Sequence, residues 1–264
     1  MTTRFTTSAD GTAIAFEFSG SGPALVLVDG AMCFREFGPA RTVATELAES
    51  YTVYVYDRRG RGESGDTAPY AVEREVDDLA AVIEAAGGDA YVMGQSSGGA
   101  LVLEAAASGV AMKKLAAYES PYVGLRAGRD YQGDLERLLS EGKRRSVIDY
   151  FMVKMVGGPW FLPLMMRMMP KVITKLESVA HTVPYDARVM GETFTVPDGR
   201  FSRITTPSLI LAGSKGKPEM LAAQERIAAT IPGARHTVLA GQTHQVSAKV
   251  LAPHLKAFFD EQNG

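Results

Sequence analysis

The stretch Gly94-Gln95-Ser96-Ser97-Gly98 lies between the apolar run Ala90-Tyr91-Val92-Met93 and the helix-forming run 100–107. This order predicts a strand, a sharp turn and a helix, with Ser96 at the apex of the turn. Glycine on each side leaves room for the crossing strand and helix, where a Cβ atom would collide. The turn would hold the Ser96 hydroxyl at the positive end of a helix and leave the N–H of Ser97 free to bind a developing oxyanion. The pattern therefore predicts a nucleophile elbow rather than a turn that only packs well.

Composition limits the classes of protein to consider. The chain has 264 residues, of which 46% are hydrophobic and 22% are charged, and strand-like runs alternate with helix-like runs. This favours one α/β core with an insertion. The net charge of −2 gives no reason to expect nucleic acid or an anionic membrane as a partner. A single cysteine, Cys33, and an N-terminus without an apolar signal core lead us to expect a cytoplasmic protein, and we find no metal-ligand spacing.

The strand–helix rhythm extends along most of the chain. Two short runs around Asp10-Gly11 predict a β-hairpin, and continuous apolar runs predict strands buried on both faces. The later predicted strands are 24–28, 52–56, 90–93, 114–118, 208–212 and 236–239, and the predicted helices are 41–48, 72–86, 100–107, 218–230 and 252–261. Between 122 and 203 the rhythm stops in a methionine-rich, helix-like stretch divided by prolines. We therefore predict a core of residues 1–121 and 204–264 and a helical cap of residues 122–203.

The carboxyl ends of parallel strands meet at one edge of a sheet, where α/β proteins place their active sites. A serine nucleophile needs an adjacent base, and His244 follows the last predicted strand by five residues, in a loop that contains glycine. His244 is therefore the candidate base for Ser96.

The carboxylate that orients the histidine has two candidates. The loop 213–217 contains none, and Glu219 comes next, in the first turn of a helix, where its charge would also suit the helix dipole. Glu119 ends the strand after the elbow helix, one strand end away from Ser96. We expect Glu119 rather than Glu219, and a Ser–His dyad without an acid stays open.

An oxyanion hole needs two aligned donors. One is the N–H of Ser97, and the second is expected from Ala31, just beyond Asp29-Gly30 at the end of a predicted strand. We expect Asp57 and Arg58 to brace this loop by hydrogen bonds rather than to contact substrate. Cys33 is expected to line the pocket or the core rather than to act as a nucleophile.

These motifs resemble those of α/β-hydrolase fold proteins over nearly the whole chain. The resemblance rests on the Ser96 elbow, on the turn Asp57-Arg58-Arg59-Gly60-Arg61-Gly62-Glu63-Ser64, on Asp29-Gly30 and on His244. It implies an eight-stranded, mostly parallel sheet flanked by helices, with a helical cap. It also implies a Ser–His–acid hydrolase that needs no cofactor.

Two features depart from the usual pattern of that superfamily. Most relatives have His-Gly where this chain has Asp29-Gly30, and an ionised, inward-pointing carboxylate there would weaken anion binding. The acid is also missing from its commonest position. Members similar to haloalkane dehalogenases carry it after the sixth strand, where Glu119 lies. Those dehalogenases and the epoxide hydrolases use an aspartate nucleophile, so Ser96 argues against both activities.

The leading functional hypothesis is hydrolysis of an ester or related acyl bond in a small, largely apolar substrate, through an acyl-enzyme intermediate. The methionine-rich cap favours an apolar pocket of adaptable shape, and we expect Met32, Trp160 and Met165 to contact substrate. One alternative keeps the site for carbon–carbon hydrolysis, a lyase step or cofactor-free perhydrolysis. Another is a non-catalytic receptor for a small apolar ligand. Whether the protein is a monomer or a homodimer stays open.

Overall fold

Eight strands form one sheet in the computed structural model, which describes residues 2–124 and 129–261. The strands are β1 Arg4–Thr7, β2 Ala13–Gly20, β3 Ala24–Val28, β4 Thr52–Tyr56, β5 Tyr91–Gln95, β6 Leu115–Tyr118, β7 Ser208–Gly213 and β8 Arg235–Leu239. Their order across the sheet is β1-β2-β4-β3-β5-β6-β7-β8. The pairs β1–β2 and β2–β4 are antiparallel and the other pairs are parallel. The sheet is therefore mostly parallel, as the sequence predicts.

Helices cover both faces of this sheet. They are α1 Ala40–Leu47, α2 Val72–Ala85, α3 Ser97–Ala107, α4 Tyr131–Ser140, α5 Arg144–Tyr150, α6 Leu162–Met166, α7 Pro170–Val179, α8 Val183–Val189, α9 Pro218–Thr230 and α10 Ala248–Asp260. The alternation along β3 shows the two layers: Leu25 and Leu27 pack with α1 and α10, whereas Val26 and Val28 pack with α2 and α3.

The last helix begins earlier than the sequence predicts. The predicted start at 252 is wrong, because α10 begins at Ala248 and carries Pro253 in its interior. A proline usually marks the first turn of a helix. Here Leu251 and Leu255 are fully buried against the sheet, and this packing outweighs the backbone hydrogen bond that Pro253 cannot donate.

The described residues of the insertion between β6 and β7 form the short helices α4 to α8, joined by turns and irregular segments, and contain no strand. Pro163, Pro170 and Pro184 each lie in the first turn of a helix, α6, α7 and α8 respectively. The prolines thus start the short cap helices as well as separating them. Among the described residues, no helix is both long and apolar enough to cross a membrane.

Candidate active site

Ser96 lies between β5 and α3 in a strained conformation, with φ 58° and ψ −129°. A residue other than glycine holds such angles only when its surroundings impose them, at a cost of about 1–3 kcal/mol. Here packing imposes them. A Cβ atom at Gly94 would collide with the main-chain oxygen of Gly98, and one at Gly98 would collide with the main-chain oxygen of Val28. The turn therefore has the geometry expected of a nucleophile elbow.

Glu119 is the carboxylate that contacts His244. Its Oε2 lies 2.8 Å from His244 Nδ1, and its side chain is completely buried. The other oxygen, Oε1, accepts a hydrogen bond of 2.9 Å from the main-chain N–H of Gly213 at the end of β7. Glu219 instead lies on the exposed first turn of α9. The geometry favours Glu119 over Glu219 as the partner of His244.

The sheet order explains how His244 reaches Glu119. His244 follows β8, so its loop must pass over the end of β7 to reach β6. Gln95 Nε2 donates to the main-chain oxygen of His244 at 2.9 Å, and the Tyr118 hydroxyl donates to that of Thr243 at 2.6 Å. A Cβ atom at Gly213 would lie 2.6 Å from the Tyr118 hydroxyl and 2.5 Å from the main chain of the crossing loop.

These positioning groups were missed in the sequence. The side chains of Gln95 and Tyr118 hold the loop of His244 by donating hydrogen bonds to its main-chain oxygens. Gly213 leaves room for this loop to pass. Gln95 directly precedes Ser96, so its hydrogen bond links the elbow to the main chain of His244, the expected base. The available signal was position alone: each of the three is the last residue of a strand.

The loop expected to supply the second oxyanion donor is a tight turn. The N–H of Cys33 donates to Gly30 O at 3.3 Å, and Met32 between them has a positive φ of 58°. Gly30 packs against Ser96, since a Cβ atom there would lie 2.9 Å from Ser96 Cβ. The turn therefore places Ala31 beside the elbow.

Asp57 and Arg58 are both buried and both brace loops, as expected. Asp57 accepts hydrogen bonds from the N–H groups of Arg35, at 2.7 Å, and Glu63, at 2.9 Å. Arg58 Nη1 lies 3.4 Å from the main-chain oxygen of Asp29, and its Nε and Nη2 bind Glu75 at 3.1 and 2.6 Å. Both side chains are almost completely buried, and the absence of substrate contact stays a prediction.

Asp29 does not direct its carboxylate at an anion site. The carboxylate accepts a hydrogen bond from the N–H of Ala40, at the start of α1, and it lies against Gly38. Burial raises the pKa of Asp29 to about 7. Burial, together with the charge of Asp29, raises the pKa of Cys33 to about 12. Cys33 therefore stays a thiol at neutral pH, which argues against a role as nucleophile.

The three residues expected to contact substrate lie in different environments. Met32 is buried in the core, whereas Trp160 is 82% exposed and Met165 is 49% exposed. Both exposed residues belong to the segment 156–169, which we call the outer cap. Lys217 Nζ, after β7, donates to Val156 O at 2.9 Å. The structure thus separates Met32 from the other two, and contact with substrate remains a prediction for all three.

Two cavities lie away from the elbow. One of about 350 Å³ is lined by residues of α2, α3 and the segment 188–200, and one of about 310 Å³ is lined by residues around Phe34, Gly60 and Ser178. Neither cavity is lined by Ser96 or His244. These two cavities therefore do not define where a substrate would bind next to Ser96.

Comparison with known proteins identifies the class. The model of the alpha/beta hydrolase family matches residues 20–256, so the chain belongs to that family. A solved alpha/beta hydrolase from Sphaerobacter thermophilus DSM 20745 is 47% identical, with a TM-score of 0.90 over 97% of this chain and 100% of that one. The esterase RhEst1 from Rhodococcus sp. ECU1013 is 18% identical over 100% of both chains, with a TM-score of 0.70, which shows likeness of fold alone.

A curated relative is similar over a shorter region. The uncharacterized hydrolase YraK of Bacillus subtilis (strain 168) is 35% identical over 103 residues. That region is 38% of this chain and 37% of YraK, so the match spans little more than a third of the relative's length. The family, rather than a particular activity, is what these similarities establish.

Proposed function

We propose that the protein is a serine hydrolase that cleaves an ester or related acyl bond of a small, largely apolar substrate. The observation that carries the proposal is the buried Glu119 carboxylate, 2.8 Å from His244 Nδ1. Glu119 directly follows β6, and the strained Ser96 directly follows the neighbouring strand β5. This is the order of groups that activates a serine: a nucleophile, a base and a carboxylate that orients the base.

The proposed reaction has two halves. Ser96 Oγ attacks the acyl carbon while His244 Nε2 takes its proton, and Glu119 stabilises the imidazolium that forms. The N–H groups of Ala31 and Ser97 bind the oxygen that becomes negative. The intermediate expels the alcohol, which takes the proton from His244. Water, deprotonated by His244, then attacks the acyl carbon, and Ser96 Oγ leaves with the proton that His244 returns, which frees the acid.

Electrostatic stabilisation of the oxyanion supplies a large part of the rate enhancement in this type of reaction. Loss of one donor in an oxyanion hole lowers kcat by about 100- to 1,000-fold. Asp29 is the acidic side chain closest in sequence to this site. Its carboxylate binds the N–H of Ala40, so it is engaged at the start of α1 and its pKa of about 7 limits its negative charge. The departure from the usual His-Gly is therefore compatible with an oxyanion hole.

The test combines a covalent probe with a substrate series. Wild-type protein, S96A and the control S202A, an exposed cap serine, are treated with a fluorophosphonate and with 4-nitrophenyl esters of increasing chain length. We expect labelling and turnover in wild type and S202A, and loss of both in S96A with an unchanged unfolding midpoint. Full turnover by S96A would refute the proposal.

The other outcomes separate the alternatives. Labelled Ser96 without ester turnover favours a carbon–carbon hydrolase, a lyase or a perhydrolase with the same site. Absence of labelling in folded wild-type protein favours a non-catalytic receptor.

A further inference from the structure

One cap carboxylate, Asp186, is bound by three groups of the core. Asp186 lies on α8 and is buried. Its Oδ1 accepts hydrogen bonds from Ser97 Oγ at 2.7 Å, from Arg58 Nη1 at 2.8 Å and from Arg61 Nη2 at 2.9 Å, and its Oδ2 accepts from Arg61 at 2.8 Å. Thr182, also in the cap, accepts from Arg61 Nε at 3.1 Å. All the partners of this carboxylate are themselves buried.

The first branch of this network leads to the loop of Ala31. Arg61 Nη1 donates to the main-chain oxygen of Gly30 at 2.7 Å. That oxygen and the N–H of Ala31 belong to the same peptide unit, which is planar and, when trans, points its C=O and N–H in opposite directions. A guanidinium that holds the oxygen of Gly30 therefore also fixes the direction of the N–H of Ala31.

The second branch leads to the elbow. Ser97 is the first residue of α3, and its hydroxyl is shared between Asp186 and Arg58, the latter at 3.2 Å. The oxygen of Ser96 accepts from the N–H of Ala100 at 3.1 Å, which directs the N–H of Ser97 out of the helix end. The hydrogen bond from Ser97 Oγ to Asp186 holds this first turn against the cap.

We propose that Asp186 is a positioning residue that aligns both donors of the oxyanion hole, Ala31 through Arg61 and Ser97 through its hydroxyl. The cap then completes the catalytic machinery of the core in addition to covering it. This inference rests on the proposed function, because it assigns Ala31 and Ser97 as the donors. The proposal gives α8 a role in aligning catalytic groups, in addition to any role in excluding water from the site.

The test compares D186N with D198N, an exposed aspartate of the cap. The amide keeps the shape of the side chain but loses the charge that holds Arg61. We expect D186N to lower kcat for a 4-nitrophenyl ester by about 10- to 100-fold, less than the full loss of a donor, with KM changed less than about twofold. Phosphonylation of Ser96 slows by the same factor as kcat. D198N behaves as wild type in both assays.

A double-mutant cycle with S97A separates alignment from general damage. S97A removes the hydroxyl link and keeps the N–H donor. We expect it to lower kcat severalfold in the wild-type background and by less in D186N, because loss of the charge at 186 has already weakened the hydrogen bond from Ser97 Oγ. Fully additive effects on kcat would contradict the shared role.

An amide NMR spectrum of the protein without ligand provides a readout independent of turnover. We expect the resonances of Ala31 and Ser97 to shift together in D186N and to stay in place in D198N. Unshifted resonances would overturn the inference. So would a lower unfolding midpoint of D186N together with an unchanged kcat, measured at a temperature where D186N is folded. Absence of labelling in wild type would instead reject the proposed function, while the amide shifts still decide whether Asp186 aligns the two N–H groups.

Discussion

Asp186 and Asp29 are two buried aspartates whose pKa values shift in opposite directions. Burial raises the pKa of both, but the charges of Arg61 and Arg58 outweigh it at Asp186 and lower its pKa below the usual range. At Asp29 the same two arginines act from a greater distance. The N–H of Ala40 opposes the effect of burial most strongly there, but burial dominates and the pKa rises to about 7. The carboxylate of Asp186 binds both guanidinium groups directly. Arg58 contacts Asp29 only at its main-chain oxygen.

Both acids are buried, so the difference in pKa comes from the partners that oppose the effect of burial. At Asp186 two guanidinium groups bind the carboxylate and outweigh burial. Asp78 and Glu104 each contact one arginine, and there burial still raises the pKa to about 6 and about 7. The paired acid, Asp186, joins the cap to the core. The neighbouring acid, Asp29, is expected to make the stability depend on pH, because burial raises its pKa to about 7.

A third buried acid, Glu119, has a histidine as partner, and we expect its loss to have the largest effect. E119Q removes the charge that stabilises protonated His244 and should lower kcat by about 100- to 10,000-fold. Ester hydrolysis is measured for E119Q and for E219Q, whose side chain is exposed on α9. Comparable activity in E119Q and wild type, or a large loss in E219Q, would show that the acid has been assigned to the wrong residue.

Loss of the guanidinium of Arg61 tests the paired acid. R61A leaves Asp186 with one arginine in a buried site and removes the contact to Gly30, so the free energy of unfolding should fall by about 3–5 kcal/mol. Urea unfolding measures the change. The control is R167A, in the exposed outer cap, for which we expect a change within about 0.5 kcal/mol. Equal effects of the two substitutions would mean that the buried pair does not join cap and core.

Asp29 should make stability fall as pH rises. Its native carboxyl keeps a proton up to about pH 7, whereas the unfolded one loses it near its ordinary pKa of 3.8. The native state therefore binds more protons between pH 4 and 7, and stability decreases by up to about 1.4 kcal/mol per pH unit in that window. D29N, which cannot ionise, should lack this contribution and be more stable than wild type at pH 8.

Urea unfolding at pH 5, 6, 7 and 8 measures the difference. Burial also raises the pKa of Glu104 to about 7 and that of Asp78 to about 6, so these acids give slopes of the same sign. D29N should thus flatten the curve in part, and E104Q should remove a separate share. Parallel curves for D29N and wild type would exclude Asp29 as a source of the pH dependence.

The smallest effect is expected in the outer cap, which has no buried carboxylate to fix it. W160A removes a side chain that is 82% exposed, so the free energy of unfolding should change by less than about 0.5 kcal/mol. If Trp160 contacts the acyl chain, KM for a long-chain ester rises about fivefold, which corresponds to about 1 kcal/mol of binding. The control is F5A, exposed on β1. The same KM in both variants would remove Trp160 from the substrate site.

Local patterns in the sequence predicted most of the fold. The strand, glycine turn and helix around Ser96 depend on neighbouring residues, and so does the glycine pair Gly87-Gly88, where both residues have positive φ after α2. The helix start at 252 was wrong because the burial of Leu251 and Leu255 against distant strands decides it. Short-range signals therefore predicted the elements, and long-range packing adjusted their ends.

The candidate site divides in the same way. By itself the sequence determined the turn at Ser96 and predicted Ser96 as the nucleophile, because Gly-x-Ser-x-Gly between a strand and a helix restricts the backbone locally. It left three possibilities for the partner of His244: Glu119, Glu219 or no acid at all. Only the tertiary structure decided between them, since His244 meets a residue 125 positions away when its loop crosses β7. Asp186 is 89 residues from Ser97 and 128 from Arg58, and such distances in sequence leave no local pattern. Short motifs specify the residues proposed to react, and tertiary packing specifies the residues proposed to orient them.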